Sequence, residues 1–167
     1  MALSSSDRGQ TLNLCSLDNL VLETDLKFII TERIKTTRKR IKPISVTCVN
    51  TDLEELNVRN YVLSYINRTQ DLRSDSDRLL FISWKTHKNV SRPTLARWLK
   101  SVLLLAGIDP HFGAHSFRGS GLSSAYFKGA SIDQIISAGN WSSVSTFKRH
   151  YCAPPSDSSI GRIILNS

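Results

Sequence analysis

The stretch Ala114–Gly121, AHSFRGSG, sets a histidine and an arginine three residues apart, follows the arginine with two glycines and continues in helix-compatible residues. One helical turn separates His115 from Arg118, so both side chains can face a single point. The pattern predicts a helix from about Ser116 to Lys128 that carries Arg118. Gly119 and Gly121 lack a Cβ and leave room for a bulky group to come close. A guanidinium paired with an imidazole in this way suits an anion.

Outward from this segment, the chain reads as a small sheet followed by a helical body. Toward the N-terminus, LDNLVLETDLKFII is rich in Leu, Val, Ile and Phe around a turn at Thr24–Asp25. It predicts two antiparallel strands, about Leu20–Glu23 and Leu26–Thr31. In PISVTCV, Ile44, Val46 and Cys48 alternate on one face and predict a third strand. Between the second and third strands, ERIKTTRKRIK reads as a long basic hairpin. Asp52 and Glu55 form a capping-box variant that predicts a helix start, with Leu53, Leu56, Val62, Leu63 and Ile66 at helical spacing. RTQDLRSDSDR reads as a polar loop and LLFIS as a short buried segment. Pro93 opens a helix whose apolar stripe is Leu95, Trp98, Leu99, Val102 and Leu103, ended by Gly107.

On the C-terminal side, Ser131 and Gln134 form a capping box for SIDQIISAG, which stops at Gly139. Ser142 or Ser143 would cap a last helix, VSTFKRHY, placing Phe147 and Tyr151 on one face. A proline–serine stretch then leads to the apolar tail IGRIILNS. The fold class is therefore α+β: mostly helical, with a three-stranded antiparallel sheet near the N-terminus.

The totals narrow the function classes. The chain has 167 residues, 40% hydrophobic and 22% charged, an ordinary globular balance. Lys and Arg outnumber Asp and Glu by 22 to 14, a net charge of +8 that favours a polyanionic partner. Cys15, Cys48 and Cys152 are scattered without metal-ligand spacing, which argues against a zinc site and suits a reducing compartment. No apolar run approaches the roughly 20 residues of a membrane span. The opening MALSSSDRG has neither the basic n-region nor the apolar stretch of a signal peptide.

Arg8, Lys35, His115, Arg118, Trp141 and Tyr151 together hold the parts that metal-free cleavage of a DNA strand requires. Two guanidiniums can clamp the non-bridging oxygens of a phosphate whose charge grows in the transition state. A tyrosine hydroxyl can attack phosphorus in a reversible covalent step, helped by a base because a phenol titrates near about 10. A lysine can protonate the departing oxygen, and an indole N–H can donate to a phosphate oxygen. Each residue alone has a plainer reading: Arg8 as surface, Trp141 as a packing anchor, Tyr151 as core.

The order of these residues, from AHSFRGSG through NWSSVSTFKRHY, resembles the tyrosine recombinases of the phage integrase family. Within it, the chain is most similar to the recombinases of eukaryotic DIRS-type retroelements and Cryptons. SSSDRGQTLNL is similar to that group's S-G-x-R-x-Q-T-L segment and puts the first catalytic arginine at Arg8. FIITERIKTTRK puts the catalytic lysine at Lys35, with Lys39, Lys42, Lys85 and Lys88 as rivals. HSFR supplies His115 and Arg118. NWSSVSTF resembles W-S-S-x-S-T-F, with Trp141 where other integrases often carry a second histidine, and Tyr151 stands at the nucleophile's position. Thr11 stands where many integrases have an acidic residue, three after the first arginine. Tyr126 is a rival nucleophile.

The resemblance implies a catalytic domain over residues 1–153 and a tail, 154–167, suited to exchange between subunits. It implies double-stranded DNA as partner, a homotetramer on paired sites, a nuclear location, and no metal, ATP or other cofactor. His115 would act as base or hydrogen-bond partner, and Trp141 would donate to the phosphate or pack the site. The family's N-terminal core-binding domain is expected to be absent, and the helix before the first arginine mostly absent. Two other functions fit the same sequence: a domain that binds DNA without cutting it, and a type IB topoisomerase.

Overall fold

A computed structural model gives the fold for residues 1–32, 44–139, 141, 144, 145 and 147. It divides into two compact units, Met1–Gly121 and Leu122–Ser167.

The first unit is built on a sheet of three antiparallel strands in the order β1 (Leu20–Leu22), β2 (Leu26–Ile30), β3 (Ile44–Cys48). The register pairs Leu20 with Phe28, Leu26 with Cys48, Phe28 with Val46 and Ile30 with Ile44. Because side chains alternate along a strand, this register puts Leu26, Phe28, Ile30, Ile44, Val46 and Cys48 on one face, and all six are buried. Leu12, Cys15, Val62, Leu80, Val90 and Leu95 complete the core, with Trp98 and Leu99 packed against it. All three expected strands are present.

The helices of this unit are α1 (Ala2–Ser5), α2 (Gly9–Asn13), α3 (Val58–Thr69), α4 (Arg92–Leu105) and the start of α5 (His115–Phe127). The helix expected to open at Asp52 does not start there. Glu54–Leu56 is a single tight 3-10 turn, and α3 begins only after Asn57. Asn57 is the effective cap because its buried amide works in both directions. Its oxygen accepts from Asn60 N at 3.1 Å, while its Nδ2 donates to Asn50 Oδ1 and Thr51 O. Ser91 caps α4, with Pro93 inside its first turn. The apolar stripe of α4 is shorter than its pattern: Leu95 is buried, but Val102 is 54% exposed. Gly107, at φ 73°, turns the chain away after it.

The polar stretch RTQDLRSDSDR is more than a loop. It holds the end of α3 and a 3-10 turn, Gln70–Leu72, before Arg73 reaches the next segment. The Arg73 guanidinium donates to the carbonyls of Leu79 (2.6 Å) and Leu80 (2.7 Å) and to Thr69 Oγ1, and lies over the Tyr65 ring. The LLFIS segment buries Leu80 and Ile82 as expected, and is anchored by Leu80 N donating to Cys15 O at 2.7 Å. It then makes a tight turn closed by bridge pairing of Ile82 with Asn89.

The second unit holds the rest of α5 and α6 (Ile132–Ala138). The capping box at Ser131 and Gln134 forms in both directions. Leu122, Ile135 and Phe147 are its buried core, with Tyr126, Ile136 and Trp141 packed around them. Gly139 ends α6 at φ −71°, a conformation open to any residue, so backbone freedom is not why glycine stands there. A Cβ at Gly139 would instead collide with the Trp141 indole and with Ile135 O. Val144, Ser145 and Phe147 are helical, as expected for the last helix. Its caps Ser142 and Ser143 lie outside the described residues.

Candidate functional site

Arg118 sits one turn into α5 and is 3% exposed, so its charge is held in the protein rather than in water. Its Nη1 donates 3.1 Å to the carbonyl of Ser6, across 112 positions of sequence. That carbonyl is presented by an unusual backbone. Ser6 closes α1 in the left-handed conformation, φ 54° and ψ 24°, which costs an L-residue about 1 kcal/mol. The Ser6 hydroxyl donates to Leu3 O at 3.1 Å.

Gly121, one turn beyond Arg118, makes this approach possible. A Cβ there would press on the Ser6 hydroxyl and stand 2.5 Å from Leu3 O. The room read from the glycine pair is thus filled, at Gly121, by the chain's own N-terminal segment.

Asp7 follows in the same turn. It was not singled out by sequence, and it is 8% exposed. Burial pushes its carboxyl up to about 6, against the pull of Arg118, a hydrogen bond with the Ser5 side chain, and Arg8. The Ser6 carbonyl that Arg118 holds lies two residues before Arg8, so the Arg118 guanidinium meets the chain close to Arg8 in sequence. Arg8 itself is half-buried, and its carbonyl receives the first backbone hydrogen bond of α2, from Leu12 N at 3.0 Å. Nothing in the local pattern flags Asp7: an aspartate beside an arginine reads as surface, and its burial shows only in the folded chain.

The remaining candidates fall in different surroundings. His115 is the first residue of α5 and is exposed, while Arg118 on the same helix is buried. Trp141 is half-buried in the second unit, its ring 5.4 Å from that of Phe147. Lys35 and Tyr151 lie outside the described residues, as do the rival lysines Lys39 and Lys42 and the tail 154–167. Of the outer rivals, Lys85 lies over the exposed Trp84 ring at 5.1 Å and Lys88 is also exposed. Tyr126 stacks edge-on against Phe147 at 5.6 Å inside the apolar cluster, the environment of a packing residue rather than a nucleophile. Thr11, at the position where an acid is common, is buried.

Cys15 and Cys48 are free and buried in the first unit's core. Burial raises both thiols, Cys48 to about 11, so neither offers a thiolate at neutral pH. Among the described residues no three His, Cys, Asp or Glu side chains gather so as to hold a metal ion.

No curated protein matches the chain. Its fold, however, is shared with solved structures along nearly its whole length. XerA recombinase superposes with a TM-score of 0.72 at 17% identity, covering 99% of this chain and 54% of that one. XerH site-specific recombinase bound to its difH substrate, in a pre-cleavage complex, gives 0.68 at 18% identity, with 92% and 40% covered. The Tn1549 transposon integrase in complex with transposon right end DNA gives 0.69 at 11% identity, with 98% and 56% covered. The chain spans about half the length of these proteins. The family model described as phage integrase matches residues 11–156, a span that takes in Lys35, His115, Arg118, Trp141 and Tyr151 and begins just after Arg8. A helical body with a three-stranded antiparallel sheet near its N-terminus is the catalytic-domain fold of the tyrosine recombinases, enzymes that break and rejoin DNA, and this chain belongs to their phage integrase family.

Proposed function

We propose that this chain is the catalytic domain of a site-specific DNA recombinase that cuts and rejoins strands through a covalent tyrosine intermediate. The observation that supports the reading is Arg118, a guanidinium only 3% exposed on a fold of the phage integrase family, whose Nη1 donates to the Ser6 carbonyl two residues before Arg8. A buried guanidinium fixed to the segment that carries a second arginine suits a phosphate diester.

In the proposed reaction the Tyr151 phenolic oxygen attacks the scissile phosphorus. The bond from phosphorus to the 5′ oxygen breaks, leaving a 3′-phosphotyrosyl enzyme and a 5′ hydroxyl. Arg8 and Arg118 hold the non-bridging oxygens, whose charge grows on the way. His115 takes the phenol proton or hydrogen-bonds to the phosphate, and Lys35 protonates the leaving oxygen. Trp141 donates from its indole or packs the site. The diester's energy stays in the tyrosyl bond, so rejoining is the reverse attack by a 5′ hydroxyl and calls for no metal or nucleotide.

At a finer level, we infer a mobile-element recombinase of the DIRS and Crypton kind, acting in the nucleus as a homotetramer on paired duplex sites. The motif W-S-S-x-S-T-F and the likeness of SSSDRGQTLNL to S-G-x-R-x-Q-T-L support that assignment.

The test is covalent trapping on a nicked duplex, in which the 5′ hydroxyl diffuses away and the adduct accumulates. The wild-type chain should form a protein–DNA adduct that Tyr151→Phe does not. Absence of adduct with both proteins, while each still binds the duplex, would leave a DNA-binding domain without cleavage. Relaxation of supercoiled DNA by the monomer, with no strand exchange between sites, would favour a topoisomerase.

A further inference from the structure

We propose that the turn 83–88 is a separate contact with duplex DNA, in which the Trp84 indole lies against the deoxyribose face of the backbone and Lys85 and Lys88 meet the flanking phosphates. The proposal rests on the reading of this chain as a DNA recombinase and adds a contact made by none of the residues assigned to the chemistry.

The argument starts from an exposed ring. Trp84 is 76% exposed. The two other tryptophans are packed, Trp98 against the core of the first unit and Trp141 against that of the second. An indole combines a large apolar face with a polar edge, which suits a contact that is buried only when a partner arrives. The Lys85 ammonium lies 5.1 Å over the Trp84 ring centroid, and Lys88 is exposed on the return of the turn. From residue 79 to residue 91 the chain carries these two lysines and no acid. An apolar ring set between cations matches a surface of anions separated by apolar groups, and the phosphates and sugars of a DNA strand are such a surface.

The turn is held firmly. Ser83 N donates to Lys88 O and His87 N to Ser83 O, both at 2.8 Å. Ile82 pairs with Asn89, and Val90 N donates to Phe81 O at 3.0 Å. At the foot, Asn89 N donates to Asp77 Oδ1 at 2.9 Å, and Asn89 Oδ1 accepts from Leu79 N at 3.1 Å. His87 closes the turn at φ 55°, a left-handed conformation that glycine would take without strain. The bonds around it keep that conformation, so ring and lysines are presented in place and little order is lost when a partner binds.

The foot of the turn is tied to the segment that begins at Arg8. Asn13 Nδ2 donates to Val90 O at 2.9 Å. Asn13 ends α2, whose N-cap is Arg8. The path from Arg8 along α2, across that bond and out to the turn is under about 30 Å, shorter than one turn of duplex at about 34 Å. A duplex held at Arg8 can therefore meet Trp84 within the same helical turn.

The test is acrylamide quenching of Trp84 fluorescence, taken as the difference between the wild-type chain and Trp84→Phe, with and without a random-sequence duplex of several helical turns. In the free protein Trp84 should be readily quenched, and saturating duplex should lower its quenching several-fold. Trp84→Ala should weaken duplex binding on the order of 10-fold, equally on any sequence and with the salt slope unchanged. Replacing Lys85 and Lys88 together with glutamine should lower the salt slope by up to about 1.8.

Quenching of Trp84 that duplex does not change, or wild-type affinity in Trp84→Ala, overturns the proposal, while salt-dependent binding by the wild type leaves the DNA reading in place. Protection that appears without duplex as the protein concentration rises assigns the ring to a second copy of the chain and also overturns it. If the wild type binds no duplex, the DNA reading falls and this contact with it. The quenching measurement needs only Trp84→Phe, which exchanges one exposed aromatic ring for another and leaves the bonds of the turn intact.

Discussion

A carboxyl group that loses solvent on folding binds its proton more tightly than in the unfolded chain, and among the described residues Asp7 is the carboxyl in which this is strongest. Its folded value is about 6 against an ordinary 3.8. Between those two values the folded protein keeps a proton that the unfolded chain has released. Stability therefore falls as pH rises through this window. The favourable contribution is complete below about pH 4 and lost above about pH 6. Two pH units of difference correspond to about 3 kcal/mol. Asp7→Asn is neutral throughout, so its advantage over the wild type should grow from near zero at pH 4 to as much as about 3 kcal/mol at pH 7. Urea unfolding of both proteins across that range measures it, and a difference independent of pH would refute it.

At the scale of elements, the contact between α5 and the N-terminal segment makes the most exposed claim. Gly121→Ala places a methyl group against the Ser6 hydroxyl and 2.5 Å from the Leu3 carbonyl oxygen. Backbone must move to admit it, at about 1–3 kcal/mol. Adding Ser6→Gly removes the hydroxyl and the left-handed strain but leaves the carbonyl, so it should restore only part of the loss. Thermal unfolding of the two single variants and the double variant gives the coupling. Gly113→Ala, with open space around the position, is the control. Full recovery in the double variant would mean that the carbonyl contact is unimportant.

This contact also shows where sequence reading reaches its limit. The strands were legible because alternation at Ile44, Val46 and Cys48 is a local signal with one structural solution, and burial follows it. The Ser131 cap was legible because both of its hydrogen bonds lie within four residues. Asp52 and Glu55 show the same local signature and no helix start. There the Asn57 amide ties residues 50, 51 and 60 together and moves the start downstream. His115 and Arg118 could be placed on one helix, but their unequal burial depends on the segment packed over Arg118. The reason for Gly121 was illegible for the same cause: it is fixed by partners more than a hundred residues away.

For the whole molecule the governing quantity is charge, and its distribution is uneven. The segment 33–43 holds Arg33, Lys35, Arg38, Lys39, Arg40 and Lys42 and no acid. The remaining 16 basic and 14 acidic residues nearly cancel, so this one segment carries most of the net +8. A protein that meets duplex DNA through such a segment releases counterions there. Its affinity then falls linearly with salt on logarithmic axes, at a slope of about 0.9 for each phosphate neutralised. Replacing Arg38, Lys39 and Arg40 with glutamine, with Lys35 kept, should lower that slope by up to about 2.7. Replacing three exposed residues elsewhere, Arg68, Arg92 and Lys100, changes the net charge by the same amount. If attraction to DNA is a property of total charge, the two triple variants should behave alike in a salt titration of duplex binding. If the segment is the contact, only the first variant loses slope, and it does so equally on any duplex sequence, because phosphates carry no base information. A slope unchanged in both variants, or no salt dependence in the wild type, would remove DNA as the polyanion that the charge of this chain is arranged to meet.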